Sequence, residues 1–420
     1  MNSPLKAHVL LIGNELLSGR IADTNGQSAA KILMKNGIKL TGISVIPDVP
    51  EIMLDAFRNR LNDNDILITS GGIGPTKDDL TKPMLAECFN KKMIEREDVA
   101  AVVRDNYARF GRDWTPALNS YHVFPEDFIA LKNEKGLAPG LAFMSDRNAI
   151  FSLPGVPREL NVMLEEEVIP HIFKKWPKST DREYMLTCRT FGIPEEKIFG
   201  ELAPDLWEKL EKIGGVGSYP QIVGVDIVVT VFGDEKLRDH KFMQMKEVIL
   251  ASKIKDHIWQ WGDLPLPELV LQKAREKKLT IALAESCSGG LTASRLTDVA
   301  GSSDVFLGAA VTYANSAKEK LLKVKSETIK SFGAVSVECA SEMATGAREL
   351  YAADLTVSTT GIAGPGGGSA EKPVGTVCFA IASKNGVKSE KHKFPGDRVR
   401  LKQRFSEYAL LMLLKEIDHL

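Results

Sequence analysis

Asp65-Ile66-Leu67-Ile68-Thr69-Ser70-Gly71-Gly72-Ile73-Gly74-Pro75 is the stretch on which the fold turns. An apolar, β-prone run meets a cluster of glycines and a proline. A short run of this kind reads as a strand buried on both faces, and such strands belong to parallel sheets covered by helices. Working outward, His8–Ile12 is a second strand of the type, Ile38–Ile46 a third that ends at Pro47, and Ala149–Leu153 a fourth. Between them Asn25–Asn36 (stopped by Gly37), Glu51–Leu61 and Leu80–Phe89 carry helical spacing. This β-α-β-α rhythm predicts an α/β, doubly wound domain with a mostly parallel sheet. Ligands of such sheets bind beyond the carboxyl ends of the strands. Three loops qualify: Gly13 to Asn25, Gly71 to Thr81, and Leu153 to Glu159.

The chain has 420 residues, 44% hydrophobic and 26% charged. That length predicts roughly two to four domains, and the apolar content excludes global disorder. Lys+Arg number 54 against 55 Asp+Glu, so the basic excess of a dedicated nucleic-acid binder is missing. The first apolar run is too short to span a membrane and lacks a signal peptide's flanks. The five cysteines are widely spaced with no C-x-x-C, which argues against a disulfide framework or structural zinc and for a reducing cytoplasm.

From residue 172 to 258 the pattern changes. A strand around Tyr184–Phe191, a helix Glu195–Lys212, a strand Val225–Phe232 and a long helix Glu235–Ile254 predict a small α+β module. Gly262 to Pro267 reads as a linker. The expected organisation is therefore 1–171, 172–258 and 262–420. In the last unit, strands are expected at Leu279–Ala284, Val305–Tyr313, Leu355–Thr359 and Gly375–Ala382. Helices are expected at Glu268–Lys277, Gly289–Thr297, Ala317–Leu322, Val337–Tyr351 and Arg398–Leu414.

The sharpest chemistry lies in that third unit. Ala284-Glu285-Ser286-Cys287-Ser288-Gly289-Gly290 sits where a strand hands over to a helix. Backbone N–H groups at such a turn form an anion site, and a serine there can act as a nucleophile. No histidine precedes His392 in this unit, so a base must come from elsewhere. Tyr313 and Lys318 flank a strand-to-helix turn, and a buried lysine can deprotonate a serine. The bland alternative makes Ser286 a helix cap and Lys318 a surface residue. Cys287 competes as nucleophile if the turn lowers its pKa, and otherwise is a small buried residue. The glycine-rich stretch Thr359–Ser369 suits close approach to an anion, and Arg398 could reach a phosphate.

In the first unit, Gly71, Gly72 and Gly74 bring backbone near a phosphate, and Asp78 and Asp79 could hold a divalent cation. Glu15, Asp23 and Asp48 are further carboxylate candidates, and Arg158 lies in the third loop. A helix cap by Asp78, Thr24 or Asn25 is the structural alternative. The stretch is not a Walker A loop, because no Gly-Lys-Ser/Thr follows.

These residues resemble the CinA family. Ala-Glu-Ser-Cys-x-Gly-Gly at 284–290, Thr-Tyr-x-Asn-x-x-Lys at 312–318, Gly-Ile-Ala-Gly-Pro at 361–365, Lys-Pro-Val-Gly-Thr-Val at 372–377 and Phe-Pro-Gly-Asp-Arg at 394–398 look like its C-terminal domain. Gly-Asn-Glu-Leu-Leu-x-Gly, Asp-Thr-Asn, Gly-Gly-x-Gly with Asp79, and Leu-Pro-Gly-Val-Pro at 153–157 look like its molybdopterin-binding-like N-terminal domain. The resemblance implies a nicotinamide-nucleotide amidohydrolase that converts nicotinamide mononucleotide to nicotinate mononucleotide and ammonia. It implies Ser286 as nucleophile, Lys318 as base and Tyr313 as helper, with no metal. The expected substrate contacts are Cys287, Gly289, Gly290, Thr360, Gly361, Gly366 and Arg398, with Thr360, Gly361 and Arg398 near the phosphate. The N-terminal domain would be an ADP-ribose pyrophosphatase using Mg²⁺, Mn²⁺ or Co²⁺. Its site would comprise Glu15, Gly71, Gly72, Gly74, Asp78, Asp79 and Arg158, with Asp78 and Asp79 on the metal. Ser288 stands where the family pattern has Thr, and Gly366 where it has Asp, which removes a carboxylate from the glycine loop. The central module resembles the family's KH-like domain. Its Gly214-Gly215-Val216-Gly217 has the G-x-x-G form but no basic residue, so a connector or dimer contact is expected, not RNA binding. The expected partners are nucleotides and a second copy of the chain, with no membrane. Two alternatives stay open: the N-terminal pyrophosphatase as main activity with a vestigial C-terminal domain, or a non-enzymatic competence or nucleotide-sensing protein.

Overall fold

The computed structural model describes residues 4–177 and 181–420. The chain divides into two compact units, Met1–Met185 with Thr230–Gln244, and Leu186–Val229 with Met245–Leu420. The stretch 172–258 thus contributes residues to both.

In the first unit β1 (Lys6–Ile12), β2 (Lys39–Ile46), β3 (Ile66–Ser70), β4 (Ile129–Leu131), β5 (Gly140–Met144) and β6 (Ala149–Leu153) form one sheet, ordered β2-β1-β3-β6-β5-β4. The first four strands in that order are parallel. β5 and β4 add antiparallel at one edge, so the sheet is mixed, with its parallel part the larger, as expected. Every side chain of β3 and β6 is buried, as their unbroken apolar runs require. Apolar clusters lie on both faces: Leu33, Leu160 and Ile172 on one, Phe57, Phe124 and Phe128 on the other. Pairing in step, Leu11 with Ser70 and Ser70 with Leu153, brings the carboxyl-end loops together. Asn25 ties them further, its Nδ2 donating to Ser70 Oγ at 3.0 Å and to Gly155 O at 2.7 Å.

A second sheet comprises β7 (Arg182–Thr190), β8 (Gly215–Pro220), β9 (Val225–Gly233) and β10 (Ile258–Trp261), ordered β8-β9-β7-β10. The expected single helix 195–212 is three pieces, Glu195–Lys197, Ile198–Leu202 and Leu206–Glu211. Pro204 is the cause, because it disfavours helical backbone at Ala203. Gly215, Val216 and Gly217 lie on strand β8. The G-x-x-G therefore runs into a strand rather than forming the loop that would clamp a nucleic-acid backbone.

The third sheet carries the sharper chemistry. Strands β11 (Ile281–Glu285), β12 (Phe306–Val311), β13 (Leu355–Gly361), β14 (Thr376–Ser383) and β15 (Gly386–Lys393) run in the order β12-β11-β13-β14-β15. The first three in that order are parallel, and β14 and β15 turn back antiparallel. Helix Val337–Tyr351 packs Met343 and Ala347 with Ala284 and Ala310. Helix Arg398–His419 contributes Leu401, Phe405 and Leu413 to a core shared with Leu283 and Phe379. Glu285 pairs with both Val311 and Thr359, so the next residues, Ser286, Thr312 and Thr360, lie level at one edge, with β13 running on to Gly361.

Candidate active site

Ser286 begins the turn after β11. Its amide donates to Thr359 O at 2.9 Å, which extends the β11–β13 pairing by one residue and holds Ser286 at the sheet edge. Its hydroxyl accepts from Lys318 Nζ at 3.0 Å. Lys318 lies on helix Asn315–Leu322 and is 1% exposed. Its Nζ also donates to Thr312 O at 2.7 Å and Tyr313 O at 3.4 Å. Carbonyls and a hydroxyl satisfy this amine, and no carboxylate stabilises its charge, so burial lowers its pKa from the ordinary lysine value. The bland alternative for both residues fails. The cap of the next helix, Leu291–Thr297, is Gly290, not Ser286, and Lys318 is no surface residue.

The surrounding pocket, about 170 Å³, is lined by Ser286, Cys287, Tyr313, Asn315, Lys318 and Arg398, together with Ala334, Val335, Thr360, Gly361 and Ala363. Arg398 closes one side. Its Nη1 donates to Gly364 O at 2.7 Å and its Nη2 to Tyr313 Oη at 3.0 Å. It opens a helix whose cap is sound, with the Asp397 carboxylate accepting from the amides of Val399 and Arg400.

Other expected contacts fall differently. The Gly290 amide donates to Glu285 Oε2 at 3.0 Å, and the amides of Thr292 and Ala293 also reach that carboxylate, at 3.1 and 2.8 Å. The Gly289 amide bonds back to Ser286 O. A protein carboxylate therefore already occupies the helix N-terminus that was expected to bind an anion. Among the described residues, the amides of Cys287 and Ser288 are the ones in this turn left without a protein partner. Thr360 Oγ1 donates to Ala334 O at 2.7 Å, so its hydroxyl shapes the pocket wall instead of facing a ligand. Gly361 lines the pocket, and a Cβ there would stand 2.7 Å from Thr376 O, so strand packing alone demands a glycine. Gly289, Gly290 and Gly366 are not among the lining residues. Burial pushes the Cys287 thiol up to about 12, so little of it is thiolate at neutral pH, and Lys318 bonds the Ser286 hydroxyl instead. His392 stands apart on β15, with its Nε2 2.8 Å from both Glu390 Oε2 and Tyr408 Oη. Sequence reasoning overlooked Asn315, inside the Thr-Tyr-x-Asn-x-x-Lys motif, and Glu285, whose signal was a carboxylate directly before a glycine turn.

A larger pocket of about 520 Å³ lies at the carboxyl end of the first sheet. Gly72, Gly74, Asp79, Arg112, Tyr121 and Lys135 contribute, with Gly155 and Glu159 from the third loop. Asp79 Oδ2 accepts from Thr76 N at 2.9 Å and Thr76 Oγ1 at 2.5 Å. Glu159 Oε2 accepts from Asn133 Nδ2 at 2.7 Å. Four expected residues lie outside the lining. Asp78 and Glu15 are exposed. Gly71 is structural, since a Cβ would meet Ile12 O at 2.3 Å. Arg158 donates to Lys135 O at 3.1 Å and so steadies a lining residue. Nor does Asp78 cap a helix: Leu80 caps Thr81–Cys88 without a side-chain bond. Asp23 accepts from the amides of Asn25 and Gly26. Asp48 accepts from Asn14 N at 3.1 Å, and burial raises its pKa. Among the described residues no group of three or more His, Cys, Asp or Glu side chains gathers as a metal's donor set. Asp79 and Glu159 in one pocket suit a hard cation whose remaining ligands are substrate phosphates and water. Arg112, Tyr121 and Lys135 were not legible, because they come from loops without periodicity.

The fold and its two pockets define a class: an α/β protein joining a molybdopterin-binding-like domain to a second α/β domain with a buried Ser-Lys pair. Residues 8–174 match the family described as "Probable molybdopterin binding domain", and residues 263–417 match "CinA C-terminal domain". A competence-damage inducible protein of Clostridium perfringens (strain 13 / Type A) is 38% identical over 416 residues, covering 99% of each chain. A "CinA-like protein" of Fervidobacterium nodosum is 35% identical over 415 residues, covering 98% of each. The solved structure of a competence/damage inducible protein from Agrobacterium tumefaciens shares 41% identity, covering 37% of this chain and 99% of its own, with a TM-score of 0.35. The chain belongs to the CinA family of competence/damage-inducible proteins. Among the described residues no helix is long and apolar enough to cross a membrane.

Proposed function

We propose that the C-terminal domain hydrolyses the carboxamide of nicotinamide mononucleotide, releasing ammonia and nicotinate mononucleotide. The observation that carries this reading is the buried Lys318 amine 3.0 Å from the Ser286 hydroxyl. Ser286 Oγ passes its proton to neutral Lys318 and bonds to the carboxamide carbon, as the C=O electron pair moves onto oxygen. The Cys287 and Ser288 amides meet that oxyanion. When the intermediate collapses, the C–N bond breaks and nitrogen leaves as ammonia, taking the proton that Lys318 received from Ser286, directly or relayed through Tyr313, which leaves Lys318 neutral again. Water, deprotonated by Lys318, then cleaves the acyl ester and restores Ser286. The test is ammonia release from nicotinamide mononucleotide. Release that persists in Ser286→Ala would refute the nucleophile.

The N-terminal pocket fits a second reaction, metal-dependent hydrolysis of a nucleotide pyrophosphate such as ADP-ribose. Asp79 would hold the cation, with Arg112 and Lys135 as cations for phosphate oxygens. When bound, a divalent ion polarises phosphoryl oxygens. AMP release from ADP-ribose that is unaffected by chelator would overturn this assignment.

A further inference from the structure

Helix Arg398–His419 shows one stripe to the nucleophile turn and the helix after it. Residues at i, i+4 and i+8 share a face, and here they are Arg398, Lys402 and Ser406. Arg398 lines the pocket. Ser406 Oγ accepts from Arg295 Nη1 at 3.0 Å, which fixes the stripe against helix Leu291–Thr297. Lys402 lies between them, half-buried, one turn from the lining residue Arg398 and not itself among the pocket's lining residues. Its Nζ comes 3.5 Å from where a Cβ on Gly289 would stand, so the amine sits against the turn that starts at Ser286. Among the described residues no carboxylate pairs with Lys402 and no hydrogen bond engages it. Its neighbours are already committed: Asp397 to the helix cap, and Glu407 to Arg295. Gly289 has φ +64, so a side chain there would be strained by its backbone, while its Cβ would make only ordinary contact with the amine.

We propose that Lys402 is a specificity-determining residue. It supplies a second cation, one helical turn beyond Arg398, for the phosphate of the nucleotide whose carboxamide faces Ser286. The proposal deepens the amidohydrolase reading and rests on it. Neither glycine amide of the turn is free to receive an anion, and the free amides of Cys287 and Ser288 are assigned to the oxyanion, which leaves side chains to meet the phosphate. Arg398 spends two of its donors on Gly364 and Tyr313, whereas the Lys402 ammonium has all three uncommitted. A half-buried, unpaired ammonium favours an anionic ligand over its uncharged counterpart, and the preference is screened by salt.

The test compares Lys402→Met and Lys402→Arg in the full chain. Calorimetric binding of nicotinate mononucleotide and of nicotinate riboside, which lacks the phosphate, needs no turnover. Lys402→Met is expected to weaken the mononucleotide about tenfold and the riboside less than twofold. Lys402→Arg should restore most of the loss, and the tenfold difference should shrink at high salt. Equal weakening of both ligands, or no weakening of the mononucleotide, overturns the proposal. Ammonia release separates its failure from that of the parent reading. An unmodified chain that binds the mononucleotide through Lys402 but releases no ammonia overturns the amidohydrolase alone. An unmodified chain that does not bind the mononucleotide overturns both.

Discussion

At position 286 a hydroxyl faces an amine that has been taken out of water, and two measurements follow from that. Ser286→Ala should lower the kcat for ammonia release by about four orders of magnitude or more, because nucleophile and base act as a unit. In the proposed mechanism Lys318 works as base only when neutral, and its folded pKa is depressed by burial. Activity should therefore rise with pH through a single limb whose midpoint lies below the ordinary lysine value of 10.5. A limb at or above that value would remove Lys318 as the base. Stability runs the same way. The unfolded chain binds the Lys318 proton more tightly, so this residue's penalty fades as pH rises from the depressed folded pKa to the unfolded one. Ser286 was legible from the glycines behind it. The burial of Lys318 was not, because it depends on carbonyls at 312 and 313 that only the finished sheet edge supplies.

Among elements, the short helix Leu291–Thr297 shows how local chemistry can redirect a site. Its N-terminus looked like an anion hole, yet the buried carboxylate at 285 already fills it. Removing that group in Glu285→Ala strands three amide donors and should cost on the order of 3 kcal/mol. The thermal midpoint should fall by roughly 6–12 °C for a domain of this size. Glu285→Gln, which keeps an acceptor, should recover part of the loss, and equal midpoints for both variants would show that the contacts carry little energy. Periodicity located Ala149–Leu153 and Val337–Tyr351 to the residue, because buried runs and an amphipathic stripe leave strong patterns. It failed at β15. That strand is exposed along nearly its whole length and so has no apolar side to alternate with a polar one.

For the whole molecule, the two pockets rest on different chemistry and should separate cleanly. A chelator should abolish AMP release from ADP-ribose and leave ammonia release intact. Ser286→Ala should do the reverse, and loss of both activities in either experiment would defeat the division of labour. The parallel half of each α/β sheet could be read in advance, because strands sandwiched between helices write continuous apolar runs. The antiparallel additions, β4 with β5 and β14 with β15, could not be ordered from sequence, since pairing partners depend on where the chain returns. β15 also has a meaning apart from catalysis. It ends its sheet, and an unpaired strand edge invites other chains to add to it. Lys388, Glu390, Lys391 and Lys393 occupy that rim, with Pro395 two residues beyond. The charges that hid the strand from a hydropathy reading are of the kind that disfavour pairing by another chain's strand at an open edge.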